Sequence, residues 1–323
     1  MGYNSKMVII LILVILTVLG GVLWFLGASQ TKDNATDNVN NNNVTSSQSW
    51  INVSYANVSS SEKMDIYLPN TTGPYPVIIA IHGGSFYKGD KNSSEINLIK
   101  SAALDRGYAF VSINYRLSSE AKFPAQINDV KAAIRYVRVN AKRYNMNPRE
   151  IGVIGNSAGG YLAALAGTSG GVKELQNSSL GNSNVSDRVQ AVIDLYGPIN
   201  FSTIDQQFVE SGINGEICNI SSSLESKLMG HDISTIPNQV AKANPETYIS
   251  RDDPAFFIQH GSSDRVIPYQ QSVDFAGKLK AAIGDKKLYL EIIQGAGHGD
   301  EQFFTTGNIK KILDFFDANL KQS

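Results

Sequence analysis

A single hexapeptide, Gly155-Asn156-Ser157-Ala158-Gly159-Gly160, constrains the fold of this chain more than any other feature. An apolar run predicts a strand directly before it, over 150–155, and helix-forming residues follow directly after it, over 161–166. Small residues two positions before and two positions after Ser157 allow a strained strand-to-helix turn that exposes the serine hydroxyl. The first amides of the helix then point at any charge that develops beside this hydroxyl. The hexapeptide therefore predicts a reactive serine at the end of a buried strand.

Strand and helix patterns alternate through much of the chain. Short, continuously apolar runs are typical of strands buried on both faces, and a spacing of three and four is typical of one helix face. Residues 50–68 predict an opening hairpin or meander, and strands are predicted over 76–81, 108–113, 150–155, 189–195, 255–260 and 288–293. Helices are predicted over 127–144 and 308–320, besides the one after Ser157. The alternation predicts an α/β fold with a mostly parallel central sheet and helices on both faces.

A serine hydroxyl is a poor nucleophile unless a base removes its proton and a carboxylate orients that base. In a parallel sheet such groups collect at the carboxyl ends of the strands. His298 lies in a glycine-rich loop after the last predicted strand, and Asp264 lies just after the strand before it. We therefore expect His298 to be the base and Asp264 its partner. Asp253 and Asp300 are alternative acids, although Asp300 is too near His298 in sequence to face its ring easily.

Attack on an ester carbonyl creates a negative oxygen, which backbone amides of a glycine-rich loop can bind without added bulk. One such loop follows an earlier predicted strand and carries Gly83, Gly84 and Ser85. We expect the amides of Gly84 and Ser85, with Gly83 as a further donor, to form an oxyanion hole together with the amide of Ala158. Neighbouring His82 is expected to brace the loop by hydrogen bonding rather than to transfer protons.

Several motifs in a common order resemble the esterase/lipase group of α/β hydrolases, above all the hormone-sensitive-lipase-like enzymes and the acetyl- and feruloyl-esterase-like subgroup. The motifs are Asp65-Ile66-Tyr67-Leu68-Pro69, His82-Gly83-Gly84, Gly107-Tyr108, Asn114-Tyr115-Arg116-Leu117, Phe123-Pro124-Ala125-Gln126, Asp129 to Arg135, Gly155 to Gly160, Asp264, Val266, Pro268 and Gly297-His298-Gly299. The resemblance covers about residues 50–320 and includes the chain order Ser157, Asp264, His298. Ser85 departs from the pattern, because many relatives have a third glycine there, and this departure concerns the shape of the acyl pocket.

The resemblance implies an α/β-hydrolase fold and the hydrolysis of a carboxylic ester through an acyl-enzyme. Ser157 is then the nucleophile, His298 the base and Asp264 its partner, with no cofactor and no metal. The expected substrate is a small-molecule or polysaccharide-linked ester. Two other functions stay open, a peptidase of the same fold and a catalytically silent surface-binding protein on a hydrolase scaffold. The absence of a recognisable propeller or second domain disfavours the first, and the complete triad disfavours the second.

The first 48 residues differ in composition from the rest. Residues 7–26 carry no charge, and 20 residues at 1.5 Å each are enough to cross about 30 Å of hydrocarbon. We expect a transmembrane signal-anchor in residues 1–29, with a cleaved signal peptide and a secreted protein as the alternative. Lys6 before the span favours a cytoplasmic N-terminus and an extracytoplasmic remainder. Residues 30–49, rich in Asn, Ser and Thr, predict a disordered tether, so that the catalytic domain is expected over 50–323.

Composition excludes some functions and favours an exterior location. With 28 basic and 29 acidic side chains the net charge is −1, which gives no electrostatic footprint for nucleic acid. A single cysteine excludes an intramolecular disulfide and any multi-cysteine metal site. Asn-x-Ser/Thr sequons begin at Asn34, Asn43, Asn52, Asn57, Asn70, Asn92, Asn177, Asn184, Asn200 and Asn219. Their number, together with the outward topology, predicts a glycosylated protein.

Two segments between predicted strands, 168–186 and 199–250, are expected to form variable loops and a small lid over the site. They would set the choice of acyl group and alcohol, which the sequence does not name. Cys218 lies in the second segment and is expected to be a packed or idle thiol. The oligomeric state stays open.

Overall fold

The computed structural model describes residues 48–321. The membrane span predicted over 7–26 lies outside the described residues, and so does the tether predicted over 30–49 except for its last two positions. Within 48–321, no helix has both the length and the apolar character needed to cross a bilayer.

A single sheet of eight strands forms the centre of the described part of the chain. The strands are β1 (Ser49–Ser54), β2 (Lys63–Tyr67), β3 (Tyr75–Ile81), β4 (Ala109–Ile113), β5 (Met146–Asn156), β6 (Ala191–Leu195), β7 (Ala255–Gly261) and β8 (Leu288–Ile293). Their order across the sheet is β1-β2-β4-β3-β5-β6-β7-β8. β2 pairs antiparallel with both β1 and β4, and all pairs from β4–β3 onward are parallel. The predicted mostly parallel sheet and its opening hairpin are thus confirmed.

Helices cover both faces of this sheet. Within residues 48–321 the α-helices are α1 (Ser94–Asp105), α2 (Ala125–Val139), α3 (Ala158–Thr168), α4 (Ile204–Ser211), α5 (Leu224–Met229), α6 (Pro237–Ala243), α7 (Gln270–Ile283) and α8 (Thr306–Leu320). The helix predicted over 127–144 ends earlier, at Val139. Asn140 follows it, and its backbone and side-chain amides both donate to the Tyr136 carbonyl, at 3.0 and 2.9 Å, which closes the helix end.

The central strand β3 shows why its sequence is continuously apolar. Val77, Ile79 and Ile81 are fully buried in the core that also contains the buried faces of α2, α3 and α7. Ile78 and Ala80 point to the other side and are buried in a second core with α1 and α8. Since both faces of the strand are covered by helices, a polar residue at any of these positions would be removed from water.

The parallel part of the sheet brings distant parts of the chain to one edge. Ser157 follows β5, Asp264 follows β7, and His298 lies in the loop after β8. The loop with Gly83 and Gly84 follows β3, which pairs directly with β5. Because parallel strands end at the same edge, these four segments meet there, as Ser157, Asp264 and His298 were expected to do.

Candidate active site

Ser157 lies in a strained turn between β5 and α3. Its backbone has φ 54° and ψ −122°, a conformation that residues with a Cβ rarely adopt. The turn is held from both sides, because the Ser157 amide donates to the Leu195 carbonyl at 2.8 Å and the Tyr161 amide donates to the Ser157 carbonyl at 3.0 Å. The predicted strand-to-helix turn around this serine is therefore present.

Two glycines of the hexapeptide are required by close backbone approach. A Cβ on Gly155 would lie 2.1 Å from the Gly159 carbonyl oxygen, and a Cβ on Gly159 would lie 2.1 Å from the Ile81 carbonyl oxygen. Both distances are far below any van der Waals contact, and both neighbours are backbone atoms that cannot turn aside. The glycines thus let the start of α3 pack directly against the ends of β5 and β3.

The three predicted triad residues form one chain of hydrogen bonds. The Ser157 hydroxyl donates to His298 Nε2 at 2.9 Å, and His298 Nδ1 donates to Asp264 Oδ2 at 2.7 Å. This arrangement fixes the tautomer of His298, because the carboxylate can only accept and Nδ1 must therefore carry the hydrogen. Nε2 is then free to accept a proton from the serine, which is the geometry that general-base activation requires.

Asp264 is fully buried, and both of its carboxylate oxygens accept hydrogen bonds. Oδ1 accepts from the amides of Val266 at 2.8 Å and Ile267 at 2.9 Å. Oδ2 accepts from His298, and His260 Nε2 lies 3.2 Å away from the same oxygen. Burial by itself raises the pKa of Asp264, but the hydrogen bonds from His260 and His298 outweigh it and hold the pKa well below its ordinary value. Asp264 is therefore ionised beside His298.

The alternative acids have other partners. Asp300 Oδ2 accepts from the Gly297 amide at 2.6 Å, so this side chain shapes the loop that carries His298 without facing its ring. Asp253 accepts from the amide and the hydroxyl of Ser250 at 3.0 and 2.7 Å. Asp264 is thus the carboxylate that the structure brings to His298.

The oxyanion loop differs from the expectation at one residue. The Gly83 amide donates to the Asn156 side-chain oxygen at 3.1 Å, so Gly83 is already engaged and drops out of the expected donors. Within residues 48–321 the amides of Gly84, Ser85 and Ala158 donate to no protein group. Gly84 and Ser85 both have positive φ, 109° and 57°, which turns the loop sharply at this point. Three of the four expected donors remain available.

His82 braces this loop, as expected. Its Nδ1 donates to the Gly83 carbonyl at 2.7 Å, and its ring stacks on Tyr115 with centroids 4.4 Å apart. Burial lowers the pKa of His82, which favours the neutral ring. The side chain is 1% exposed and has its role within the loop.

Tyr196 is a neighbour of the triad that the sequence did not indicate. Its ring meets that of His298 edge-on, with centroids 4.8 Å apart, and packs in the same way against Phe303 at 4.5 Å. It has φ 46° and directly follows β6, so the backbone is strained here as well as at Ser157. Burial raises the pKa of the Tyr196 phenol, which therefore stays protonated. Tyr196 thus limits how far the His298 ring can move.

A cavity of about 280 Å³ lies beside Ser157. Ser85, Phe86 and Ala158 line it close to the serine, and the remaining lining residues are Pro198, Glu216, Ile217, Cys218, Ile220, Ser222, Ser223, Leu224, Glu225, Lys227, Val266 and Ile267. Much of the wall therefore comes from the segment 216–227, within the lid predicted over 199–250. The other predicted loop, 168–186, contributes no residue to this cavity.

The lid segment 216–227 is held by a carboxylate of α4 and carries two buried polar side chains. The amides of Cys218 and Asn219 donate to the Asp205 carboxylate at 2.7 and 3.0 Å. The Cys218 thiol and the Glu225 carboxyl are both buried, and burial raises the pKa of both groups. The thiol therefore stays protonated, as expected for a packed cysteine.

Asp194 lies beneath the turn, and its burial predicts that the stability of the fold depends on pH. It is fully buried beside Gly155, its Oδ1 accepts from the Gly197 amide at 2.9 Å, and its Oδ2 has no partner within residues 48–321. Burial raises the pKa of Asp194 to about 7. Since this lies above the value near 3.9 of an unfolded chain, the fold favours the protonated form.

We expect this contribution to be full below pH ~4 and to be lost as the pH rises toward 7, by at most about 4 kcal/mol. Asp194→Asn has no proton to lose at this position. The free energy of unfolding of the wild type, relative to that of the variant, should therefore fall steadily between pH 4 and pH 8. Urea unfolding of both proteins across this range measures the difference. A difference that does not change with pH would contradict the expectation.

Comparison with known proteins places the chain in a family. The sequence model of the BD-FAE family matches residues 64–279. The esterase LipC of Mycobacterium tuberculosis (strain ATCC 25618 / H37Rv) is 32% identical over 228 residues, which are 71% of this chain and 54% of LipC. The probable carboxylic ester hydrolase LipM of the same organism is 29% identical over 243 residues, 74% of this chain and 54% of LipM. The chain spans about half the length of these curated relatives.

A solved structure agrees over nearly its whole length. A truncated form of a carbohydrate esterase from gut microbiota superposes with a TM-score of 0.77 and 35% sequence identity, over 85% of this chain and 97% of that one. The structural superposition and the sequence matches thus agree. The chain belongs to the BD-FAE family, within the esterase/lipase group of α/β hydrolases.

Proposed function

We propose that this chain is a serine carboxylesterase that acts through an acyl-enzyme. The observation that carries the proposal is the chain of hydrogen bonds from Ser157 through His298 to Asp264, with distances of 2.9 and 2.7 Å, beside a cavity. The names of the relatives, an esterase, a probable carboxylic ester hydrolase and a carbohydrate esterase, support ester bonds as the target.

In the first half of the reaction, Ser157 Oγ attacks the ester carbonyl carbon while His298 Nε2 takes its proton. The carbonyl oxygen becomes negative in the tetrahedral intermediate. The amides of Gly84, Ser85 and Ala158 are the donors that we assign to this oxygen, with the start of α3 adding its positive end. The intermediate then collapses, His298 returns the proton to the departing alcohol oxygen, and the acyl group stays on Ser157.

In the second half, water replaces the alcohol. His298 Nε2 takes a proton from water as the water oxygen attacks the acyl carbon, and the proton passes to Ser157 Oγ when the acid leaves. Asp264 stays ionised throughout and stabilises the protonated ring of His298 in both halves. Its buried position suits this role, because the amides of Val266 and Ile267 hold the carboxylate and it cannot rotate away from the ring.

For the substrate we propose an ester with a carbohydrate alcohol and a short acyl group. The support is the mixed lining of the cavity, in which Ser222, Ser223 and Lys227 lie among apolar side chains, and the name of the matched carbohydrate esterase. Alternating polar and apolar groups suit a sugar, which has both hydroxyls and apolar ring faces.

A panel of esters tests this assignment with the full-length protein. Acetylated and feruloylated saccharides, short-chain p-nitrophenyl esters and long-chain lipid esters differ in either the alcohol or the acyl group. We expect kcat/KM for acetylated saccharides to exceed that for long-chain lipid esters by tenfold or more. A preference for the long chains would contradict the carbohydrate assignment, and an absence of hydrolysis with every ester would contradict the esterase itself.

For the location we propose a membrane-tethered protein with its catalytic domain outside the cell and glycosylated. The apolar residues 7–26 support the tether. Sequon asparagines Asn52, Asn57, Asn70, Asn92, Asn184 and Asn219 are exposed on the domain. Asn200 is half-buried and its side chain donates to Glu246, so we do not expect it to carry a glycan.

In its native host the protein should need detergent for extraction and should run above 35.0 kDa until glycans are removed. Extraction without detergent would contradict the membrane tether. A mass of 35.0 kDa before glycan removal would contradict the glycosylation.

A further inference from the structure

His260 is a second histidine at the carboxylate of the triad. It lies near the end of β7 and is completely buried. Its Nε2 is 3.2 Å from Asp264 Oδ2 and 3.0 Å from the Ile267 carbonyl oxygen. Its Nδ1 is 2.7 Å from the Ser272 hydroxyl, which belongs to α7 and is also completely buried. Both ring nitrogens are thus in contact with fixed neighbours.

These neighbours determine the tautomer of His260. A carboxylate and a carbonyl can only accept, so Nε2 carries a hydrogen, which it donates to the Ile267 carbonyl with Asp264 Oδ2 as its second acceptor neighbour. Nδ1 then accepts from the Ser272 hydroxyl. Every polar atom around the ring is satisfied in this arrangement, as buried polar groups require.

Two imidazoles therefore approach Asp264 Oδ2 at once, one by a hydrogen bond and one as a close neighbour. His298 approaches at 2.7 Å and His260 at 3.2 Å, so the bond to His298 is the shorter of the two. Of the charged groups in residues 48–321, those that face His260 are Asp264 on the loop after β7 and, through that carboxylate, His298. α7 presents the uncharged Ser272 to the ring. The hydrogen bonds from His260 and from His298 are also what lowers the pKa of Asp264 against its burial.

We propose that His260 is a positioning residue, which holds the Asp264 carboxylate in place and weakens its hydrogen bond to His298 by competing for the same oxygen. The proposal rests on the proposed esterase function, in which His298 must take and return a proton. A carboxylate with a competing donor stabilises the protonated His298 less strongly than one without it. His260, anchored by Ser272, thus sets how readily His298 gives its proton back to the leaving alcohol.

His260→Phe tests this with a ring of similar shape that has no donor. We expect kcat for a short-chain ester to fall by about 10- to 100-fold with little change in KM, by analogy with the loss seen when a side chain that orients a metal ligand is removed. The low-pH limb of the kcat/KM profile should move to higher pH, because Asp264 then stabilises protonated His298 more strongly. His260→Gln, which brings an amide N–H near the position of Nε2, should restore part of the wild-type profile.

Gln259→Met is the matched control on the same strand. Gln259 is also completely buried, and its side chain donates to Glu291 and Asn308 at 2.8 and 2.6 Å, away from Asp264. This variant should lose stability and keep the wild-type pH profile. If His260→Phe loses stability and also keeps that profile, His260 is a structural residue only and the proposal is wrong.

Proton NMR of the full-length protein separates this proposal from the esterase assignment. The hydrogen between His298 Nδ1 and Asp264 should give a low-field resonance, and we expect it to move further downfield in His260→Phe. This readout needs no turnover, so a shift in a protein that hydrolyses no ester would support the positioning role and refute only the esterase. An unchanged resonance would overturn the positioning role. If His260→Phe does not fold, Ser272→Ala removes the anchor of Nδ1 and should move the resonance in the same direction by less.

Discussion

Replacement of Ser157 with alanine is expected to lower kcat/KM for ester hydrolysis by about 10⁴-fold or more. The remaining site can still bind the ester and its developing charge, but no atom is left to form the acyl bond. The measurement is steady-state hydrolysis of a short-chain p-nitrophenyl ester by the full-length protein, with a fluorophosphonate probe that should label the wild type at Ser157 and leave the variant unlabelled. If Ser157→Ala kept the activity of the wild type, the assignment of Ser157 as the nucleophile of an esterase would be wrong.

Ser157→Gly provides a second variant in which chemistry and backbone strain separate. Alanine keeps the Cβ and so keeps the strain of a positive φ at this position, whereas glycine adopts φ 54° without it. Both variants should be inactive. After the greater freedom of glycine in the unfolded chain is subtracted, Ser157→Gly should be more stable than Ser157→Ala by about 1 kcal/mol, or roughly 2 °C in Tm. Equal stability of the two after this subtraction would mean that the turn stores no strain.

Asp264→Asn is expected to lower kcat by about 10³- to 10⁴-fold with a smaller effect on KM. The asparagine oxygen can still accept from the amides of Val266 and Ile267, which directs its NH₂ group toward the two imidazoles. That group would then face the N–H of His298, and the ring would have to take the other tautomer. With its hydrogen on Nε2, His298 cannot accept the proton of the serine.

Asp300→Asn is the matched control for this substitution. Its side chain can still accept from the Gly297 amide, so the loop that carries His298 should keep its shape and kcat should stay within a fewfold of the wild type. Steady-state kinetics of both variants at several pH values measures the contrast. If Asp300→Asn were as damaging as Asp264→Asn, the choice of Asp264 as the partner of His298 would be wrong.

The parts of the site that could be predicted are those with a local cause. The turn at Ser157 depends on small residues within three positions, and its glycines meet backbone atoms that any strand-to-helix turn of this kind would bring close. The approach of His298 and Asp264 follows from strand ends that share one edge. Their geometry agrees with the expectation, while their roles in catalysis stay predictions until the variants are measured.

The parts that could not be predicted depend on contacts between segments. Gly83 is not available as an oxyanion donor because β3 and β5 are neighbours, which lets the Asn156 side chain accept from its amide. The sequence of a single strand does not determine which strands become its neighbours. The sequence places His260 at the end of a predicted core strand and gives no sign of its contact with Asp264. That contact depends on how the chain bends after β7. The lid segment 216–227 has no periodicity of its own, and its position depends on the carboxylate of Asp205.

The distribution of the triad along the chain makes the reactivity of Ser157 a reporter of completed folding. The serine and His298 are 141 residues apart in sequence, and His298 and Asp264 are 34 apart. The loop with His298 follows β8, which is the last strand within residues 48–321 and lies at an edge of the described sheet, where it pairs with β7. A refolding chain that has formed β3 to β6 but not β8 would hold the serine in its turn without a base. Fluorophosphonate labelling during refolding should therefore lag behind the recovery of secondary structure and follow the docking of the final strand.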